Sequence, residues 1–181
     1  MDAPHLPESA APAHLVLMGV AGSGKTTLAR LLQERLGRPY AEADDFHPQA
    51  NVDKMRAGIP LTDADRAPWL AALRDWLTAQ ARAGRSTVVT CSALRRAYRD
   101  VLREAEGRVR FVHLVAEPDV IGQRLAARTD HFMPPSLLPS QLAALEPLAE
   151  DEDGIVVPVD APPDEVAARV LAALGLAPRP A

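Results

Sequence analysis

The sequence predicts a three-layer α/β/α domain built on a mostly parallel, five-stranded sheet. Three observations carry that expectation. Apolar runs of strand length recur along the chain, each main run is followed by a segment with helical spacing, and 48% hydrophobic residues in a chain of 181 supply one core of ordinary size. Short β-rich runs separated by helices fold as βαβ units, with helices covering both faces of the sheet.

Residues 1–12 hold Pro4, Pro7 and Pro12 and little that can pack, so they read as an N-terminal tail. Residues 14–19 (HLVLMG) form an apolar run ending in glycine. Lys25–Leu36 then places Leu28, Leu31, Leu32 and Leu36 on one helical stripe. A weaker strand is expected at 39–43. Residues 86–91 (STVVTC) read as the central strand, followed by a helix over 94–105. The run 109–115 precedes a helix over 118–127, and 155–159 precedes one over 164–174.

Two stretches interrupt the alternation. Residues 48–68 are polar, contain Gly58 and Pro60, and lead into a helix beginning near Pro68 whose apolar stripe is Trp69, Leu73, Trp76 and Leu77. Residues 130–140 contain three prolines and are expected to run over the surface as a loop. The expected organisation is a single domain over 13–175, a helical and loop lid at about 124–140, and a C-terminal tail at 176–181.

Twenty basic against 24 acidic side chains give a formal charge of −4, which lacks the electrostatic footprint of a nucleic-acid binder. The single cysteine, Cys91, cannot close an intramolecular disulfide and fits a reducing compartment, so the cytoplasm is expected. No apolar run approaches the roughly 20 residues that span a bilayer, and the opening MDAPHLPESAAPA lacks a basic and an apolar region, so neither export nor a membrane partner is expected.

The strongest local signal is GVAGSGKT at 19–26, a full match to G-x-x-x-x-G-K-[ST] between a strand and a helix. Gly19, Gly22 and Gly24 let the backbone turn so that N–H groups of Val20, Ala21, Ser23 and their neighbours point inward, and the helix that follows adds its positive dipole end. Such a concavity binds phosphate oxygens. Lys25 would reach the β- and γ-phosphates, Thr26 would offer its hydroxyl to Mg²⁺, and Thr27 would touch the α-phosphate. Only two of the twenty basic residues are lysines, and one of them stands at the motif position.

Several chemistries use such a loop. A guanine-specific N-K-x-D segment is absent, because the only lysines are Lys25 and Lys54. The strand ending TVVTCSAL carries no carboxylate at its tip, unlike the metal-binding strand of many motor ATPases. Acidic groups sit instead at Glu42, Asp44 and Asp45. With the segment extended, Glu42 and Asp44 project to the same side, one to organise the metal's water shell and the other to accept the proton of an attacking hydroxyl.

With the phosphate loop, EADDFHP (42–48), NVDKM (51–55), GIPLTDADRAPWL (58–70) and CSALRRAYRDVLR (91–103) together, the chain resembles the gluconokinases over roughly residues 14–170. These belong with shikimate and nucleoside-monophosphate kinases among the small P-loop kinases. The resemblance implies that fold, transfer of phosphate from ATP to D-gluconate giving ADP and 6-phospho-D-gluconate, and a homodimer. A lid pattern R-x-x-H-F-M is matched by Arg128, His131, Phe132 and Met133, with Asp130 where glycine is expected.

A polyhydroxy carboxylate needs a cation and a set of paired donors and acceptors. His47, Lys54, Arg66, the pair Arg95 and Arg96, and His131 are the candidates, with Asp44 as the hydroxyl-orienting base and Glu42 acting on Mg²⁺ through water. Arg124 and Arg128, four residues apart, are expected on one helix face as lid cations that stabilise the transferring group. By similarity to related kinases, VDAPP (159–163) would border the adenine. Two alternatives remain at this point. One is another small P-loop kinase acting on a shikimate-like hydroxy acid, although no Gly-Gly-Gly turn stands where CSAL does. The other is a nucleotide-binding regulatory module with slow ATP turnover.

Overall fold

The computed structural model describes residues 11–128 and 134–180. Five strands, β1 (Ala13–Met18), β2 (Tyr40–Glu42), β3 (Thr87–Thr90), β4 (Arg108–Val115) and β5 (Gly154–Pro158), form one sheet in the order β2-β3-β1-β4-β5. All neighbours are parallel, with Leu15 opposite both Val88 and Arg110. The central strand is therefore β1, not the 86–91 run, because the chain crosses from one side of β1 to the other between β3 and β4. Ligands of open α/β sheets bind at the carboxyl ends of strands where the order reverses in this way.

The strands read as continuous apolar runs because both faces are covered. Leu15, Leu17, Val88, Val112 and Leu114 pack on α1 (Lys25–Leu36) and the last helix, Pro163–Leu174. Val16, Met18, Val89 and Phe111 face the opposite layer, where Trp69, Leu70, Leu73 and Leu77 form the buried stripe of a long helix. A smaller cluster of Val20, Ala21, Leu94, Ile121 and Leu125 lies beneath the phosphate loop.

The interrupting stretches are more helical than expected. Within 48–68 the chain forms α2 (Gln49–Arg56), and α3 runs Asp63–Arg82, so the long helix starts at Asp63 and not near Pro68. Its start is set by a capping box. Thr62 Oγ1 accepts from the Asp65 N–H at 3.1 Å, and the Asp65 carboxylate accepts from the Thr62 N–H at 2.9 Å. Pro68 sits in the second turn, where it forgoes one helical hydrogen bond.

The helix expected over 94–105 is shorter, α4 (Arg96–Arg103), and α5 is Pro118–Ala126. The described part of 130–140 is a 3₁₀ turn, Pro135–Leu137, continued by α6 (Leu138–Ala144), rather than loop. Pro135 and Pro139 lie in first turns, where no helical N–H bond is lost. The last helix is α7 (Pro163–Leu174). Beyond it the chain returns to α1, where the Arg179 N–H donates to the Arg35 carbonyl at 2.6 Å. No helix among the described residues is long and apolar enough to cross a membrane.

Candidate active site

Loops at the carboxyl ends of β1, β2 and β3 meet at the phosphate loop, 19–26. Gly19, Gly22 and Gly24 adopt φ of +142°, +82° and +93°, and Gly24 is the cap of α1, so the loop delivers its N–H groups to a helix N-terminus. Lys25 Nζ lies over the loop, donating to the Gly19 and Val20 carbonyls at 2.9 and 3.0 Å. Burial lowers the Lys25 pKa, with Arg128 acting in the same direction and Asp44 and Glu42 opposing. Ser23 is fully buried beneath the loop, while Thr26 is half-buried and Thr27 exposed.

Two clefts share this loop. The first is bounded by Gly22, Gly24, Lys25 and Thr26 on one side, Glu42, Asp44, His47, Arg66 and Trp69 on another, and Cys91, Ser92 and Gln141 opposite. The second runs from Gly22, Ser23, Gly24 and Thr27 past Arg124 to Val159, Ala161 and Pro163. Arg128 borders both.

Glu42 and Asp44 both reach the first cleft, but not by the alternation expected of an extended segment. The strand ends at Glu42, and Ala43–Phe46 is a 3₁₀ turn that carries Asp44 round to the same side. The two oxygens of Glu42 accept from the Tyr40 and Thr90 hydroxyls. Burial, together with the bond to Glu42, raises the Tyr40 pKa, so the phenol keeps its proton and remains a donor.

His47 stacks on Trp69 with ring centroids 4.2 Å apart and planes at 16°. Burial, reinforced by Arg66 and opposed by Asp44, lowers its pKa to about 4, so the imidazole offers neutral hydrogen-bonding groups at pH 7. Trp69 is at once core and cleft wall: it is 2% exposed and donates through Nε1 to the Ala43 carbonyl at 2.7 Å, which holds the turn bearing Asp44. Cys91 is buried, and burial pushes its thiol up to about 12, so it stays neutral.

Arg66 borders the first cleft and an adjoining recess lined by Met55, Leu61, Arg95 and Leu137. Its Nη1 donates to the Leu61 carbonyl at 2.5 Å, and its guanidinium lies 5.3 Å from the Tyr98 ring centre. Arg95 faces the same ring at 6.0 Å. Arg96 instead turns outward in a two-pronged pair with Asp151 at 2.6 and 2.7 Å. Lys54 is not brought to the cleft, because Asp65 holds its ammonium at 2.8 Å. The Asp65 carboxyl is lowered to about 2, by the Lys54 bond first and by the Thr62 N–H.

Arg124 lies beside the loop, 3.9 Å from where a methyl on Gly24 would stand. Arg128 falls just beyond α5, whose cap is Ala127, with its N–H bonded to the Leu125 carbonyl at 3.1 Å. His131, with Asp130, Phe132 and Met133, lies outside the described residues.

Sequence reasoning missed two features. Gln141 on α6 accepts the Ala21 N–H at 2.7 Å. Arg99 and Glu152 form a buried ion pair behind the loop 91–94, and Arg99 also donates to the Ala93 carbonyl at 2.9 Å. Neither has a local sequence signature, because each partner lies far along the chain.

A parallel sheet whose β1 feeds a G-x-x-x-x-G-K-T loop, with a second cleft facing that loop, defines a small P-loop kinase. A family profile described as an AAA domain matches residues 15–148. A gluconokinase from Gluconobacter oxydans is 53% identical over 155 residues, 86% of this chain and 87% of that protein. A crystal structure of a sugar kinase from Janibacter superposes with a TM-score of 0.87 at 52% identity, covering 91% of this chain and 95% of that one. A crystal structure of a gluconokinase from Sinorhizobium meliloti gives 0.80 at 44% identity, covering 92% and 93%. The chain belongs to the gluconokinase family.

Proposed function

We propose that the protein transfers the terminal phosphoryl group of ATP to D-gluconate, giving ADP and 6-phospho-D-gluconate. The observation that carries this reading is the meeting of two clefts at one phosphate loop, the first lined by two carboxylates and polar groups and the second ending in the less polar turn 159–163. Relatives named gluconokinase support gluconate as the acceptor.

ATP lies with its base toward Val159 and Ala161 and its phosphates on the loop N–H groups not already tied to Ser92, Gln141 and Val20, and on the N-terminus of α1. Lys25 exchanges the Gly19 and Val20 carbonyls for β- and γ-phosphate oxygens, a swap of neutral for charged acceptors that strengthens its bonds. Asp44 orients the acceptor hydroxyl and takes its proton as the bond to phosphorus forms. Arg124 and Arg128 stabilise charge on the transferring group. His47, Arg66 and Arg95 bind the hydroxyls and carboxylate of the acceptor, and His131 completes that set. Lys54 acts on it through Asp65, whose capping box starts the helix bearing Arg66.

The residues present fit Mg²⁺. Among the described residues no three His, Cys, Asp or Glu side chains cluster to hold a metal unaided; a bound Mg²⁺ would take most of its ligands from phosphate and water, as magnesium prefers. Thr26 would supply one oxygen. Glu42, fixed by Tyr40 and Thr90, keeps lone pairs for a metal-bound water. When bound, the ion neutralises charge across the β- and γ-phosphates. The reading also includes a cytoplasmic homodimer with neither nucleic-acid nor membrane partners, in keeping with the formal charge of −4.

ADP release measured with and without gluconate tests the reaction. Turnover that depends on gluconate supports it, and equal rates in both arms reject it.

A further inference from the structure

We infer that Gln141 is a positioning residue for phosphoryl transfer: it pins the acceptor-side crest of the phosphate loop and so sets where the terminal phosphate sits relative to the acceptor hydroxyl. The inference rests on the kinase reading above. Three glycines at positive φ make the loop costly to order, and something must hold its shape. The Gly19 N–H is bound by the Ser92 carbonyl at 3.2 Å and the Ser23 N–H by the Val20 carbonyl at 3.2 Å, both backbone ties. The Ala21 N–H, between them, is instead bound by a side chain 120 residues away, Gln141 Oε1 at 2.7 Å. A donor N–H demands an acceptor, so the carboxamide oxygen faces Ala21.

Gln141 is well placed for that task. It borders both the first cleft and the recess beside Arg66 and Arg95, so it stands where acceptor and loop meet. Its helix is anchored immediately beyond its end. The Glu146 N–H donates to the Leu94 carbonyl at 2.7 Å, the Glu146 carboxylate accepts the Arg96 N–H at 2.8 Å, and Arg99 donates to the Glu146 carbonyl at 3.1 Å. The base of α6 is thereby tied to the loop after β3, and Gln141 carries that fixed reference across to Ala21. A misplacement of about 1 Å between reacting atoms can cost about a hundredfold in rate, so a pin at this point affects chemistry more than binding.

Gln141→Met tests it, because methionine keeps the length and apolar stem but replaces the carboxamide oxygen with a thioether that accepts the Ala21 N–H only weakly. The variant and the wild type are compared for thermal midpoint, ATP affinity without gluconate, kcat and KM for both substrates, and ATP consumed per phosphogluconate formed. We expect kcat to fall about tenfold, the scale of one hydrogen bond lost beside a charged centre, with ATP affinity within about twofold and the midpoint little changed. ATP consumed per product should rise. A kcat within twofold of wild type overturns the inference. So does a loss of kcat that comes with an equal loss of ATP affinity and a lowered midpoint, which would make the bond structural only. Tighter ATP binding also overturns it, since Gln141 would then be a competitor for the loop. Failure of the wild type to show gluconate-dependent turnover rejects the kinase reading instead.

Discussion

Arg99 and Glu152 face each other in a two-pronged ion pair, Nε to Oε1 at 2.7 Å and Nη2 to Oε2 at 2.9 Å, with both side chains fully buried. The remaining donors of Arg99 go to the carbonyls of Ala93, Glu146 and Pro147, and Glu152 also accepts the Ala149 N–H. Burial alone would raise the Glu152 pKa, but the Arg99 bond and the Ala149 N–H outweigh it and hold the carboxyl below its ordinary value. The pair thus joins the cleft loop after β3 to the segment that follows α6. Removing one partner strands a buried charge, so Glu152→Ala should cost about 3–5 kcal/mol in urea unfolding. A loss below about 1 kcal/mol would show that water replaces the carboxylate.

No second lysine stands ready to replace Lys25. The other lysine, Lys54, is held by Asp65 at 2.8 Å outside the cleft. Lys25→Ala should therefore lower kcat by about 10²–10³-fold, the range for deleting one preorganised stabiliser of transition-state charge. Steady-state turnover measures this, and near-normal activity would mean that the loop does not cradle the transferred phosphate.

Asp44→Asn should lower kcat by about 10²–10⁴-fold, as for loss of a general base, while ATP binding by calorimetry stays within about twofold. A collapse in ATP affinity would instead assign Asp44 to the metal's surroundings or to the fold.

What could be read in advance divides by the range over which the information acts. The phosphate loop and its strand and helix were legible because glycine spacing and apolar periodicity are local. Glu42 and Asp44 do reach one cleft, but through a 3₁₀ turn rather than through the alternation of an extended strand. The pair Arg95 and Arg96 was undecidable from order alone, and it is Asp151, 55 residues beyond Arg96, that draws Arg96 away. Pro68 reads as a helix start and Pro135 and Pro139 as loop, yet Pro68 sits in the second turn of α3 at the loss of one helical hydrogen bond, and first turns tolerate the other two. Gln141 was invisible because its partner is a backbone N–H, which carries no side-chain signature.

His47 makes stability depend on pH. Its folded pKa of about 4 lies below the unfolded value of 6.5, so between these limits the unfolded chain binds more protons. Stability from this group is complete above pH 6.5 and is lost as pH falls toward 4. His14 and His113, also lowered chiefly by burial, act with the same sign. His47→Gln should lower the thermal midpoint by losing the stack on Trp69, and the midpoint should then vary less steeply over pH 4.5–7 than in the wild type. Parallel curves for the two proteins would exclude His47 as a contributor.

Two glycines of the phosphate loop separate backbone strain from packing. Gly22 and Gly24 both have positive φ, +82° and +93°, so alanine at either is strained by roughly 1–2 kcal/mol. Their surroundings differ. A methyl on Gly22 would stand 2.9 Å from Leu125 Cγ and 3.1 Å from the Ile121 carbonyl, both on α5, whereas among the described residues one on Gly24 would meet only Arg124 Nη1 at 3.9 Å. The carbonyl cannot turn aside without breaking α5, so Gly22→Ala must displace that helix or the loop, and with it the approach of Arg124 and Arg128. Gly22→Ala should therefore lose more stability than Gly24→Ala, by about 1–3 kcal/mol for the overpacking alone. Chemical denaturation of the two variants side by side measures the difference. Equal losses would mean that strain alone governs both sites and that α5 yields at little cost.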